Sequence, residues 1–136
     1  AYKYKVKGAN NGTIATQYYT VFRLAEQYLI RAEARAEQGN TGGAKEDIDL
    51  IRKRAGLAET TAVSQDALLD AVAHERQIEL FAEWGHRWFD LKRTNKAAAV
   101  LGAVSYKQGW KSTQLLFPIP PEEISTDPNL VQNPGY

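Results

Sequence analysis

The chain has 136 residues, of which 43% are hydrophobic, so it is long enough for one domain with a buried core. Its 17 basic and 16 acidic residues leave a net charge of +1, which gives no strong attraction to nucleic acid or to an anionic membrane. The absence of cysteine excludes disulfides and thiolate metal sites. The chain also has no methionine and opens with no secretory signal, and we therefore expect a fragment whose N-terminal part is missing.

The first part of the chain, residues 1–21, is predicted to be strand-like. Tyr2, Tyr4 and Val6 alternate with lysines, which is the two-residue period of a strand. Residues 17–21 are polar and aromatic and are also predicted to be extended. They pair with the first strand across a glycine-containing turn, or the first strand pairs with sequence that is missing here.

Residues 22–104 are predicted to form helical hairpins. Apolar residues recur every three or four positions in two stretches, the first of which stops at Gly39 and Asn40 and the second at Gly56. Thr41 is the predicted cap of the second helix. Because the connection is short, the two helices should lie antiparallel, as in a tetratricopeptide repeat.

A second pair of helices is predicted downstream. Ser64 is the predicted cap of a third helix that runs to about Trp84, and Gly85 breaks or kinks this helix. Residues 87–94 form a fourth, short helix. The apolar stretch 97–103 either extends the fourth helix or forms a turn.

The last segment, residues 105–136, has little periodicity and contains all five prolines. Its many apolar residues, which include Trp110 and Phe117, make it too hydrophobic for a disordered tail. We therefore predict a single domain over 1–136, in which this segment wraps over the helices with a helical turn near 122–124. The predicted fold class is mainly α, with tetratricopeptide-like helical hairpins, a short N-terminal β segment and an irregular C-terminal wrap.

The most informative run of the chain covers residues 74–93, where charged side chains alternate with large apolar ones at helical spacing. Such a mixture predicts charged groups inside a packed region, each with a partner. The predicted structural ion-pair network consists of Glu75, Arg76, Glu79, Glu83, Arg87 and Asp90. A metal or acid/base site that uses the glutamates with His74 and His86 is the alternative. Guanidinium groups beside the carboxylates and the lack of a paired-histidine motif argue against it.

Aromatic residues form two further candidate features. Trp84, Trp88 and Phe89 surround a glycine at helical spacing, which predicts core packing rather than a platform for sugar rings. Trp110 stands in a loop-like context, so it is a better candidate for exposed binding, with packing under the C-terminal segment as the alternative. The sequence has no glycine-rich phosphate loop and no nucleophile elbow, and it gives no argument for catalysis or for a cofactor.

Three segments, in this order along the chain, carry a family resemblance. They are residues 23–34 (Arg-Leu-Ala-Glu-Gln-Tyr-Leu-Ile-Arg-Ala-Glu-Ala), the charged run from Glu75 to Leu91, and Leu-Phe-Pro-Ile-Pro at 116–120 followed by Asn-Leu-Val-Gln-Asn-Pro-Gly-Tyr at 129–136. Together they resemble the first helix, the signature helix pair and the ending of the C-terminal region of the SusD/RagB family. This family comprises surface nutrient-binding lipoproteins of Bacteroidetes.

The resemblance implies an all-helical scaffold at the extracellular face of the cell outer membrane, with a lipid anchor in the missing N-terminal part. The implied function is non-enzymatic binding of a glycan or other nutrient in a SusCD-type uptake system. The implied partners are a SusC-like TonB-dependent transporter, the oligosaccharide or other nutrient, and the missing part of the chain itself, without nucleic acid. No ligand-binding residue is carried over, because ligand contacts in the family come largely from loops outside this ending.

Two other functions remain open at this point. One is a tetratricopeptide-like protein-interaction module, and the other is a metal-dependent hydrolase that uses Glu75, Glu79 and His74. The fragment interpretation also predicts exposed apolar surface, so we expect an isolated chain to self-associate or to stay bound to a separately cleaved N-terminal piece.

Overall fold

A computed structural model describes residues 20–107 and 109–136 of the chain. These described residues contain helices and no strand, which confirms the prediction of a mainly α fold. The chain divides into two compact units, Ala1–Arg87 and Trp88–Tyr136. The strand predicted at residues 2–6 lies outside the described residues, as does most of 17–21, and the single domain remains a prediction.

The first unit is built on three packed helices, α1 (Leu24–Glu37), α2 (Thr41–Arg54) and α3 (Gln65–Glu79). Short connections place α1 and α2 side by side, and α3 packs against both. Their common core is formed by small and branched side chains, namely Ala32, Ala36, Ala44, Ile48, Leu68 and Val72. Alanines on the facing sides of α1 and α2 allow the two helices to approach closely.

Two of these helices end in the same way, through a glycine in the left-handed region of backbone conformation. Gly39 has φ of +75° and Gly56 has φ of +74°, just after the ends of α1 and α2. In each case the next residue donates its N–H back into the helix, from Asn40 to the Arg35 carbonyl and from Leu57 to the Arg52 carbonyl. These are Schellman endings, which require a residue without a Cβ penalty at this position.

The start of α2 corrects one prediction about capping. Asn40 is the capping residue, and its side-chain oxygen accepts a hydrogen bond from the Gly43 N–H at 3.0 Å. Thr41, which the sequence favours as the cap, is the first residue of the helix. Both residue types are good caps. The Schellman ending of α1 includes Gly39 and Asn40, so α2 begins at the next residue, Thr41, and Asn40 takes the capping position.

We expect Asn40→Ala to lower the free energy of unfolding by about 1 kcal/mol, because one N–H group at the start of α2 loses its partner. Thr41→Ala, the matched control, should change it by a small fraction of that amount. Chemical denaturation of the two variants measures both values. Equal losses in the two variants would show that the cap is not at Asn40.

The third helix is shorter than predicted. Ser64 is its cap, as predicted, and its hydroxyl accepts from the Ala67 N–H at 3.3 Å. The helix ends at Glu79 rather than near Trp84. The turn that follows contains two non-glycine residues with positive φ, Ala82 at 58° and Trp84 at 42°, which a right-handed helix cannot accommodate.

Two short helices follow, α4 (His86–Arg93) and α5 (Ala97–Gly102). They are separate because Asn95 adopts φ of 55° after α4, so the apolar stretch after it does not extend the fourth helix. Asparagine tolerates this conformation better than most residues. Lys96 N–H then bonds the Leu91 carbonyl, which is a third Schellman ending.

The last part of the chain is irregular apart from two 3₁₀ turns and α6 (Pro121–Thr126), where a helical turn is predicted. Its final residues lie along residues 116–119. Gln132 binds Ile119 at both backbone groups, since its Oε1 accepts the Ile119 N–H at 2.8 Å and its Nε2 donates to the Ile119 carbonyl at 2.9 Å. Asn133 Nδ2 donates to the Phe117 carbonyl. The Tyr136 hydroxyl donates to the Leu116 carbonyl.

Gln132→Ala should loosen this ending, because the Ile119 backbone loses both partners. A net cost of about 1–2 kcal/mol is expected, at the level of one or two ordinary hydrogen bonds. Hydrogen exchange at the Ile119 amide should accelerate accordingly. Asn129→Ala is the control, since the Asn129 side chain bonds only Asp127 among the described residues and is exposed. Exchange at Ile119 that responds equally to both changes would contradict this account.

Candidate functional site

The six residues of the predicted ion-pair network lie in three consecutive elements. Glu75 and Arg76 are buried on α3, and Glu79 is the last residue of that helix. Glu83 lies in the turn after α3, while Arg87 and Asp90 lie on α4. Because α3 ends at Glu79, Glu83 lies beyond the helix, whereas the sequence predicts a third helix that runs to about Trp84.

The carboxylates on α3 find their partners on other elements. Glu75 accepts from Arg52 of α2 at 2.5 Å, and Glu79 pairs with Arg54 of α2. Glu79 also pairs with Arg23, which precedes α1. The ion pairs therefore connect α3 to α1 and α2, whereas the sequence favours partners within the charged run itself.

Arg23 connects the start of α1 to the end of α3. One of its guanidinium nitrogens donates to the Glu79 carbonyl at 2.9 Å and to Glu83 Oε1 at 2.8 Å, and the other donates to the Glu79 carboxylate. Burial lowers the pKa of Arg23, but the hydrogen bonds and charges of Glu83 and Glu79 outweigh this and raise the pKa above its usual value. The group is thus a permanent cation, and it supplies a donor to the carbonyl of the last residue of α3, which has no partner within the helix.

A second, looser group surrounds Glu26 on α1. Arg76 Nη2 lies 3.9 Å from Glu26 Oε1, and His86 Nδ1 lies 3.6 Å from the same oxygen. All three side chains are largely buried. Glu26 thus links the end of α3 and the start of α4 to α1.

The end of the predicted network differs from the expectation. Asp90 pairs with Arg93 three residues later on the same helix, at 2.9 Å. Arg87 is half-buried and has no ion pair with any residue in the described part of the chain. The membership of Arg87 in the network therefore stays a prediction, whereas Arg23, which lies outside the charged run, pairs with Glu79 and Glu83.

The most buried charge of the described chain is one that the sequence analysis missed. Asp47 on α2 is 1% exposed and receives two hydrogen bonds from Arg31, at 2.6 and 2.9 Å, and one from Arg35, at 2.9 Å. Arg35 also donates to the Gly43 carbonyl at 3.0 Å. The hydrogen bond to Asp47 is the main cause that raises the pKa of Arg31.

An open groove of about 730 Å³ lies beside this group, between α1, α2 and the loop that follows α2. Arg31 and Arg35 line it together with Lys45, which bonds Asp49 at 2.5 Å and Glu59 at 2.9 Å. The hydrogen bond to Asp49 raises the pKa of Lys45 most, and the hydrogen bond to Glu59 raises it further. Most of the charged side chains that line the groove form ion pairs with one another.

The aromatic residues around Gly85 do not form the predicted core cluster. Trp84 is 56% exposed, although its indole N–H donates to the Thr20 carbonyl at 3.0 Å, and Phe89 is exposed as well. Trp88 is half-buried, with the Lys92 ammonium 5.4 Å from its ring centre. The prediction of core packing is wrong for Trp84 because its left-handed backbone ends the helical spacing on which that prediction depends.

The described residues 20–107 and 109–136 contain no group of three histidine, cysteine, aspartate or glutamate residues that could hold a metal ion. His74 is exposed on α3, while the neighbouring Glu75 is buried against Arg52. Within the same described ranges, no helix is long and apolar enough to cross a membrane. The charged groups, as they are arranged, hold helices together.

A family model described as the SusD family matches residues 2–136. Among characterised proteins, the chain is 33% identical to the starch-binding protein SusD of Bacteroides thetaiotaomicron over 99% of its own length and 24% of that protein. It is 33% identical to the SusD-like protein P38 of Formosa agariphila over 85% of its length and 24% of that protein. The chain therefore spans about a quarter of the length of these relatives.

Solved structures show the same similarity. A SusD superfamily protein from Bacteroides vulgatus matches 85% of the chain with a TM-score of 0.74 and 28% identity, and the match covers 27% of that protein. A second one, from Parabacteroides distasonis, matches 87% of the chain with a TM-score of 0.71 and 31% identity, again over 27% of that protein. The helical arrangement described above is thus shared with these larger proteins.

Proposed function

We propose that this chain, which belongs to the SusD family and corresponds to the C-terminal region of its members, is part of the non-enzymatic binding component of a SusCD-type outer-membrane uptake system. The observation that carries this proposal is the similarity to a starch-binding protein over 99% of the chain. Because the chain spans about a quarter of that relative, binding of a glycan or other nutrient is proposed for the whole gene product.

Within that protein, we propose that these 136 residues act as scaffold. The support is that Glu75, Glu79, Glu83 and Asp47 each pair with guanidinium groups of another element, so these carboxylates fasten helices together. A general acid or base must contact the proton that it transfers, whereas these carboxylates are engaged by arginines of neighbouring elements. We accordingly propose that the protein binds its ligand without chemistry.

The partner and the location follow from the family and are also proposals. We expect a SusC-like TonB-dependent transporter as the partner and the extracellular face of the outer membrane as the location, with a lipid anchor outside these 136 residues. A peptide-binding tetratricopeptide-like module is the alternative. Its support is the α1–α2 hairpin, which the SusD family match already accounts for.

Calorimetry on the whole gene product with a panel of oligosaccharides that includes maltooligosaccharides tests the binding proposal. We expect saturable binding of at least one oligosaccharide, and chromatography should recover that oligosaccharide unchanged after long incubation. Cleaved product would contradict the non-enzymatic role. Binding of peptides but of no oligosaccharide would favour the interaction module.

Affinity purification of the tagged gene product from its own cells tests the partner. A TonB-dependent transporter should co-purify with it and should be absent when an unrelated outer-membrane lipoprotein carries the same tag. Protease treatment of intact cells should remove the protein if it lies on the extracellular face. Protection of the protein in intact cells would contradict that location.

A further inference from the structure

Residues 116–120 (Leu-Phe-Pro-Ile-Pro) form an extended segment of the second unit. A residue that precedes a proline is held in the extended region of backbone conformation, and this applies to both Phe117 and Ile119. The prolines themselves have a fixed φ, and Pro120 has φ of −55° and ψ of 138°. An extended segment offers backbone N–H and C=O groups along its edges, as an edge strand does.

Only one edge of this segment can pair with another strand. In an extended chain the N–H groups of alternate residues point to the same edge. Pro118 and Pro120 have no N–H, so the edge to which they belong offers no donor. The other edge carries the backbone groups of Phe117 and Ile119, and we call it the Ile119 edge.

Two amide side chains from the end of the chain occupy the Ile119 edge. Gln132 Oε1 accepts the Ile119 N–H at 2.8 Å, and Gln132 Nε2 donates to the Ile119 carbonyl at 2.9 Å. Residues that face each other in antiparallel strands exchange the same two bonds, and a primary amide has the donor and the acceptor of a peptide group. Asn133 Nδ2 donates to the Phe117 carbonyl at 2.7 Å. These side chains therefore take the place of a neighbouring strand.

The end of the chain reaches this position through a glycine. Gly135 has φ of +97°, and a Cβ at this residue would lie 2.6 Å from Thr113 Oγ1. The next residue, Tyr136, donates its hydroxyl to the Leu116 carbonyl at 2.9 Å. Because a larger residue at 135 would collide with Thr113, the close approach that holds the amides on the edge requires glycine.

We propose that residues 132–136 are a built-in cap that keeps the Ile119 edge from pairing with a second copy of the chain. The edge is self-complementary, since in two antiparallel copies each Ile119 would donate its N–H to the carbonyl of the other, as in a two-fold contact. Exposed edges are commonly protected by charged side chains, but residues 116–120 carry none, and Phe117 is 75% exposed. The cap supplies the protection that the segment itself lacks.

Sedimentation of the whole gene product over a concentration series tests this proposal. Gln132→Ala removes both partners of the Ile119 backbone, and we expect its average mass to rise with concentration toward twice that of the parent protein. Asn129→Ala is the control, since the exposed Asn129 side chain bonds only Asp127 among the described residues, and it should behave as the parent does. An unchanged mass for Gln132→Ala at all concentrations would overturn the proposal.

A second substitution in the Gln132→Ala variant separates edge pairing from other causes of association. Ile119→Pro removes the N–H that pairing requires, and a proline at 119 keeps the segment extended. The double variant should return to the mass of the parent protein. Association of the double variant equal to that of Gln132→Ala would show that the copies meet elsewhere, and the proposal would be wrong.

A matched pair of glycine variants opens the cap without a change at Gln132. Gly135 and Gly109 have nearly the same φ, +97° and +93°, so alanine is strained at both positions. A Cβ at Gly109 would meet no atom of the described residues within 4 Å, whereas a Cβ at Gly135 would collide with Thr113. We expect Gly135→Ala to associate as Gln132→Ala does and Gly109→Ala to remain like the parent. Equal masses for the two glycine variants would contradict the proposal.

Discussion

Asp47→Asn should lower the free energy of unfolding of the 136-residue chain by about 3 kcal/mol, the lower end of the range for breaking a buried ion pair. Asp47 is 1% exposed and accepts three hydrogen bonds from Arg31 and Arg35. An asparagine there turns N–H groups toward guanidinium N–H groups and leaves two cations without their counter-charge. The loss stays at the lower end because both arginines retain contact with solvent.

Urea unfolding at low protein concentration measures this value by linear extrapolation. Glu59→Gln is the matched control, because Glu59 also pairs with a cation, Lys45, but is 79% exposed. Exposed pairs contribute little, so this variant should be nearly as stable as the parent chain. If the two variants lost equal stability, burial of Asp47 between α1 and α2 would not matter for the fold.

Local signals explain why most of the helices could be predicted. Gly39, Gly56 and Ser64 act within a few residues of the helix ends that they determine, and the sequence shows them directly. The choice between Asn40 and Thr41 as the cap failed because two good capping residues stand next to each other. Only the Schellman ending of α1, which is a matter of backbone conformation, selects the first.

The contact that caps the end of α3 could not be predicted because its donor lies far away in the sequence. Residues 80–84 contain no glycine or proline and continue the helical pattern of charges. The helix ends at Glu79, where the last carbonyl binds Arg23 instead of an N–H of the next turn. Arg23 lies 56 residues earlier in the chain, so no local sequence pattern predicts this contact.

The charged network shows a similar division between what is local and what is not. Glu75 and Arg76 stand among apolar neighbours in the sequence, and both side chains are buried. Which cation each carboxylate receives depends on how α1 and α2 pack, so the partners were not predictable. A signal for Asp47 does exist, since it lies on the apolar stripe of α2 with Ala44, Ile48 and Ile51, all of which are buried.

Arg23→Ala should lower the free energy of unfolding by about 2 kcal/mol, because hydrogen bonds to charged groups contribute more than neutral ones. Glu83, Glu79 and the last carbonyl of α3 all lose a donor in this variant. The loss is smaller than for Asp47 because the arginine is partly exposed. The end of α3 should fray, which faster hydrogen exchange at the N–H of Leu80 would report. Leu80 donates to the Arg76 carbonyl in the folded chain.

Arg87→Ala is the informative comparison, because the sequence predicts Arg87, and not Arg23, as a member of the ion-pair network. Arg87 has no ion pair with another residue of the described chain, so its loss removes only side-chain packing. We expect a loss of about 1 kcal/mol, the ordinary size for a point mutation at a half-buried position, and so a smaller one than for Arg23→Ala. Urea unfolding of the two arginine variants side by side separates the alternatives. A larger loss at Arg87 than at Arg23 would mean that the carboxylates of α3 pair within the charged run after all.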